Sequence, residues 1–409
     1  MRKTLLSLLL TYSISASACN NTNSHDVATD RDSIGAPVEK NKPNSDYKPA
    51  FKGQTRIAGV TTKTPYTSKV IAQGLKSPWG IAELPDGRFL ITEKEGTMRI
   101  VTKEGKISDA ITGLPEVDSR GQGGLLGLTI DLQFSKNRMV YWVFSMPVSG
   151  GNLTAVAKGK LAANEKSIEN AKVIYQAGPA HNGKLHYGGR ILFDKKGNLF
   201  VSTGERSDLI TRPKAQDLKA ALGKVLHITT EGKPVTGNPF INKSGALPEI
   251  YSYGHRNVQG LALHPQTGDL WETEFGPRGG DELNLISAGK NYGWPTITYG
   301  LEYSGKPVGD PPIQQKAGLE QPVYYWDPVL SPSGITFYAG SAIPEWKNNL
   351  FISGLSSTHI ARLVIKNNKV IGEERLLAKE GQRFRDITEG KDGALYTITD
   401  SGKLYRIGK

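Results

Sequence analysis

The chain has 409 residues, 37% of them hydrophobic, and a formal net charge of +12. That is enough apolar material for one large domain or two ordinary ones, and 47 glycines favour many tight turns and short strands over helices. The single cysteine, Cys19, excludes an intramolecular disulfide, a cysteine-based zinc site and a Cys/His catalytic pair, and the scattered lysines read as a solvated basic surface rather than a nucleic-acid face.

The N-terminus reads "MRKTLLSLLLTYSISASAC": two cations, an apolar run too short to span a bilayer comfortably, then small residues. This is the pattern of an export signal over residues 1–19. Ser17 and Ala18 before Cys19 resemble a bacterial lipobox, although Ala16 stands where a leucine is usual. The expectation is a lipoprotein, periplasmic or anchored to the outer membrane through Cys19 alone; ordinary signal cleavage to a soluble exported protein is the alternative. Residues 20–55 are polar, rich in Asn, Asp, Ser and Pro and without apolar periodicity, which predicts a disordered tether. The folded domain is expected over 56–409.

Within that domain one pattern recurs: a Gly or Arg, an apolar strand, a turn with Asp or Gly, then a second apolar strand. Copies begin at Gly80, Gly124, Gly189, Gly260, Gly334 and Arg385. Their spacing is that of a four-stranded sheet with inserted loops, and such a sheet buries both faces only against neighbours like itself. An all-β, six-bladed β-propeller of four-stranded antiparallel blades follows. The stretch "AANEKSIENAK" from Ala162 is at most a short surface turn of helix.

In a propeller the residues just before each innermost strand converge at one mouth. Here those positions carry "SRGQGG", "KLHYGG", "GHRNVQ", "DPVLSPS" and "GQRFR", four of the five with charged or amide side chains suited to holding an anion or moving a proton.

The motifs "RGQGGLLG", "HYGGRILF", "GHRNVQGLA", "EFGPRGGDELNLISAGKNYGWP" and "GQRFRDI", in that order, resemble the soluble quinoprotein sugar dehydrogenases, six-bladed propellers that use pyrroloquinoline quinone (PQQ). "TYGLEYSG" is nearer to the aldose sugar dehydrogenase branch than to soluble glucose dehydrogenase. PQQ is a flat quinone with three carboxylates, so guanidinium and amide donors suit it. By resemblance, Arg256 and Asn257 contact the quinone end, Arg383 and Arg385 the carboxylates, Gln122 another edge, and Tyr303 forms part of the wall.

His186 is the expected general base for the sugar C1 hydroxyl, since imidazole titrates near working pH. Glu205 stands where the family has an Asp that orients this histidine, and Arg256 would stabilise charge developing on the quinone. His255 is expected to be structural. Calcium is implied twice: against the cofactor on the backbone carbonyls of Gly276 and Pro277, and at a structural site between Glu282 and the backbone of Tyr292. The sequence departs from glucose dehydrogenase in lacking a cofactor-gripping lysine near Ser356 and a threonine near Val329; backbone groups of Gly354–Ser356 remain available to the cofactor.

The resemblance implies PQQ- and calcium-dependent oxidation of an aldose to a lactone, with electrons passed to an external acceptor. No "C-x-x-C-H" haem motif is present to carry them onward within the chain. Two other readings stand beside this one: a non-catalytic envelope propeller that binds a glycan or protein partner, and a metal-dependent lactonase, which would need acidic ligands from several blades.

Overall fold

A computed structural model describes residues 35–409. The predicted signal and Cys19 lie outside the described residues, as does the tether up to residue 34.

Six antiparallel sheets follow one another around an axis. Blade 1 holds β2 (Pro78–Glu83), β3 (Phe89–Glu93) and β4 (Thr97–Val101); blade 2 holds β5 (Leu125–Ile130), β6 (Met139–Val148), β7 (Gly151–Leu161) and β8 (Ile168–His181). Blade 3 is β9 (Ile191–Phe193), β10 (Leu199–Ser202), β11 (Lys224–Ile228) and β12 (Ile250–Tyr253), and blade 4 is β13 (Val258–Leu263), β14 (Leu270–Glu274), β15 (Asp281–Ile286) and β16 (Tyr324–Trp326). Blade 5 is β17 (Pro332–Phe337), β18 (Leu350–Gly354), β19 (Ile360–Lys366) and β20 (Lys369–Leu376). Blade 6 combines β21 (Phe384–Glu389), β22 (Leu395–Thr399) and β23 (Lys403–Gly408) with β1 (Thr67–Gln73) from the other end of the domain.

Each repeat expected from the sequence coincides with an innermost strand. The departure is blade 1, whose fourth position is held only by isolated bridges, Met98 to Ile111 and Val101 to Ile107. That segment is broken by Gly105, Gly113 and Pro115, which do not sustain a ladder. The "AANEKSIENAK" stretch is a turn leading into β8 rather than helix.

The recurring glycines have a steric cause. The inner strands lie so close to the axis that a Cβ on Gly260 would come 2.6 Å from the Ser333 carbonyl, and one on Gly80 would come 2.9 Å from the Leu128 side chain. Five of the six inner strands also shift register against their neighbour near the strand start, as at Pro78/Ile81 and Phe384/Asp386. Such bulges re-aim side chains at the mouth.

Apolar side chains collect between blades. Leu90 and Met98 of blade 1 pack with Trp142 and Ala155 of blade 2, and Phe89 and Ile91 pack with Tyr396 and Leu404 of blade 6. The core is therefore a ring of inter-blade contacts, and its integrity depends on the ring being closed.

Residues 35–55 correct the tether expectation, because they are strapped to blades 4 and 5. Glu39 pairs with Arg375 at 2.6 Å, the Asn44 amide donates to Asp327 Oδ1 at 2.9 Å, and Arg56 donates to the Asp327 carbonyl at 2.7 Å. Gln54 is fully buried: its amide donates to the Pro322 carbonyl while its oxygen accepts from the Ala50 amide and the Tyr299 hydroxyl. The segment binds through hydrogen bonds instead of an apolar stripe, so hydropathy patterning passed over it.

Gln54→Ala should lower the unfolding free energy by about 1–3 kcal/mol, the cost of leaving buried partners unsatisfied. Denaturant unfolding measures this; a disordered tether would leave the midpoint unchanged.

Candidate active site

At the mouth a cavity of about 490 Å³ opens among the starts of the inner strands. Gln122, His186, Gly276, Pro277, Tyr303, Arg383 and Arg385, seven of the residues expected from the sequence, line it together. So do Ser356 and Val329, the positions where a lysine and a threonine were missed.

His186 sits in the connection from β8 to β9 with φ of 49°, a left-handed conformation unusual for a residue with a side chain. Three contacts hold it there. Its amide donates to Gln122 Oε1 at 2.8 Å, its carbonyl accepts from the Arg206 amide, and its Nδ1 meets Glu205 Oε1 at 2.6 Å. A carboxylate can only accept, so Nδ1 carries the proton and Nε2 keeps its lone pair. Burial and the nearby Arg256 charge depress the imidazole to about 4, with Glu205 pulling the other way. The ring is therefore a neutral base at ordinary pH.

Arg206 was not singled out from the sequence. It is buried, stacks on Tyr187 with its guanidinium 4.0 Å from the ring centroid, and donates to the carbonyls of Gly183 and Leu185. It thereby clamps the segment that carries His186. Glu205 lies behind the histidine, its backbone amide bonded to the Arg256 carbonyl at 2.9 Å.

Arg383 and Arg385 share one carboxylate, Asp400 in the β22–β23 turn, at 2.9 and 2.8 Å. Burial opposes ionisation of Asp400, yet the two arginines hold it below the usual carboxylate range. Below them Arg190 and Asp386 form a buried pair at 2.5 Å that joins blades 3 and 6, with Arg190 also donating to the Gln259 carbonyl and lying over Trp79. Neither Asp400 nor the Arg190–Asp386 pair was foreseen, since partners that distant in sequence leave no local pattern. Asp281, in the quoted "RGGDE", lines the cavity and accepts from the amides of Gly276, Leu330 and Ser331. Burial lifts its carboxyl to about 6.

Two expected cofactor residues stand behind the wall instead of on it. Asn257 is fully buried, and its Oδ1 accepts from the Gly188 amide, bracing the turn after His186. Arg256 donates to the Gly276 carbonyl at 2.7 Å and lies 5.1 Å over Trp294. Backbone groups displaced from regular pairing claim both side chains. Even so, Arg256 Nε and Asn257 Nδ2 are buried without a hydrogen-bond partner among the described residues. Tyr303 is an exposed ring at the rim, 71% accessible.

Glu282 and Tyr292 lie away from the cavity, beside a void of about 10 Å³ that Glu274 and Arg256 also line. Burial and the adjacent Glu274 push the carboxyls of Glu272 and Glu282 well above their usual range. His255 is fully buried, paired with Glu274 at 3.1 Å and stacked on Tyr292.

The sequence model of the Glucose / Sorbosone dehydrogenase family matches residues 75–406. The chain belongs to that family. It is 39% identical to aldose sugar dehydrogenase YliI of Escherichia coli over 83% of this chain and 92% of that protein. The crystal structure of the soluble aldose sugar dehydrogenase from Escherichia coli in the apo form is similar over 84% of this chain and 99% of that one, at 38% identity and a TM-score of 0.80. The PQQ-bound aldose sugar dehydrogenase from Streptomyces coelicolor matches 85% of this chain and 99% of its own, at 29% identity and a TM-score of 0.69.

Selective labelling of the histidines should show the His186 imidazole, like that of the buried His359, titrating near pH 4. In Glu205→Gln, where the carboxylate no longer favours the imidazolium, that midpoint should fall further. A midpoint near 6.5 in the parent would contradict the geometry.

Proposed function

We propose that the protein is a PQQ-dependent aldose dehydrogenase that oxidises the anomeric carbon to a lactone and hands electrons to a separate acceptor. The observation that carries this reading is one cavity holding both an oriented neutral base, His186 on Glu205, and an anion-binding pair, Arg383 and Arg385 on Asp400.

The residues present fit the cofactor. The guanidinium pair of Arg383 and Arg385 with the Gln122 amide, all lining the cavity, suits a flat polycarboxylate, and the unpartnered donors of Arg256 and Asn257 lie just behind its wall. When bound, PQQ would supply a carbonyl centre able to accept a hydride. The chain's own part is then to orient the sugar and take its proton: His186 Nε2 accepts from the C1 hydroxyl, and Glu205 keeps Nδ1 protonated and stabilises the resulting imidazolium. Tyr303 and Trp79 would flank the entering ring.

Calcium belongs to the same proposal on different grounds at its two sites. The carbonyls of Gly276 and Pro277 are hard oxygen donors, but Gly276 already accepts from Arg256, which a cation there would have to share or displace. At Glu282, the carboxylates of Glu274 and Glu282 line a void for about one small ion and favour a cation more strongly. A lactonase is disfavoured because the acids lining the cavity, Asp281 and Asp400, are committed to backbone amides and to arginines. The signal-like N-terminus and the lipobox-like Cys19 support an envelope location.

Reconstitution with PQQ and calcium should give saturable binding and dye reduction that depends on added aldose; binding without sugar-dependent reduction would favour the non-catalytic reading. His186→Ala should keep PQQ affinity within about threefold while kcat falls by about 10²–10⁴. Arg383→Ala with Arg385→Ala should instead weaken PQQ by about 100-fold, as loss of charge-assisted bonds leaves Asp400 bare beside the anion. Equal loss of cofactor in both variants would contradict this division.

A further inference from the structure

Of the basic side chains that line the cavity, neutral His186 is paired with Glu205, and Arg383 and Arg385 are paired with Asp400. Lys94 differs. It lies in the β3–β4 turn of blade 1, and its Nζ donates to the Gly121 carbonyl at 2.7 Å, with no carboxylate partner among the described residues. An ammonium has three donors, so one carbonyl leaves it short of partners and its full charge uncompensated.

The surroundings make room for this side chain. Gly124 has φ of 126°, and a Cβ there would come 2.6 Å from Lys94 Cγ. The backbone of Lys94 is fixed on both sides, its amide donating to the Ser77 carbonyl at 3.1 Å and its carbonyl accepting from Leu125 at 2.9 Å. Gly121, the acceptor of its ammonium, adjoins Gln122, which holds the His186 amide. Lys94 is thus tied to the same wall as the base, on a different blade from Arg383 and Arg385.

We propose that Lys94 is an anion-binding residue of this cavity and pairs with a carboxylate of the bound cofactor that the two arginines of blade 6 do not engage. The inference rests on the PQQ reading above. Arg383 and Arg385 share one aspartate and so bring a single net positive charge, whereas a tricarboxylate calls for more; Lys94 supplies it from the neighbouring blade. It would also account for a site that works without a lysine at Ser356, which lines the same cavity.

Calorimetric titration of PQQ into the parent, Lys94→Met and Lys94→Arg tests this at two salt concentrations. Lys94→Met should raise Kd by about tenfold or more, the size of a lost charge-assisted hydrogen bond, and should flatten the salt dependence. Lys94→Arg should stay within about threefold of the parent, and Ser356→Lys placed on Lys94→Met should recover part of the loss. A Lys94→Met protein that folds and binds PQQ within twofold of the parent would overturn the role of Lys94 while leaving the PQQ reading intact. Absence of PQQ binding by the parent itself would overturn both.

Discussion

The pairing of β1 with β23 is the constraint on which the site depends. Thr67 lies opposite Gly408 and Gln73 opposite Lys403, so a strand from the start of the domain completes the sheet formed by its end. This latch holds blade 6 against blade 1, and with it Arg383 and Arg385 beside Trp79 and Lys94. Because each blade buries its faces only against its neighbours, an open ring would expose two apolar surfaces and pull the cavity apart in one motion. Fold and cofactor site therefore share one closure.

The same geometry explains how so much charge survives near the axis. Arg190, Asp386, Glu205 and His186 are all buried, and each has a partner contributed by a different strand or blade. Burial lowers the pKa of Arg190 and raises that of Asp386, disfavouring the charged form of both, and the pair offsets this by mutual contact. At His186 the balance tips toward the neutral ring, the state in which a base is useful. The inner strands can place these groups because glycines let backbones approach and early bulges turn side chains toward the mouth.

Much of this was legible in the sequence, and unevenly so. The glycine-led apolar pairs from Gly80 to Arg385 announce inner strands because their cause is local: close approach at the axis and period-two burial. His186, Gln122, Arg383 and Arg385 were visible as polar residues immediately before those strands. Residues whose roles depend on distant contacts were not. Asp400 is an ordinary turn aspartate until blade 6 folds it onto two arginines, and the strap around Gln54 looks like a tether because its bonds run to Pro322 and Tyr299. Arg256 and Asn257 were legible as functional types, but that they brace backbone behind the cavity wall was not, since that backbone is irregular only in three dimensions.

The most direct test of the account is a crystal structure of the protein soaked with PQQ. The cofactor should lie in the 490 Å³ cavity, with carboxylates against Arg383 and Arg385 and His186 Nε2 facing the open side where a sugar C1 would sit. Cofactor density elsewhere, or a His186 turned from Glu205 with its Nδ1 toward the cavity, would contradict it.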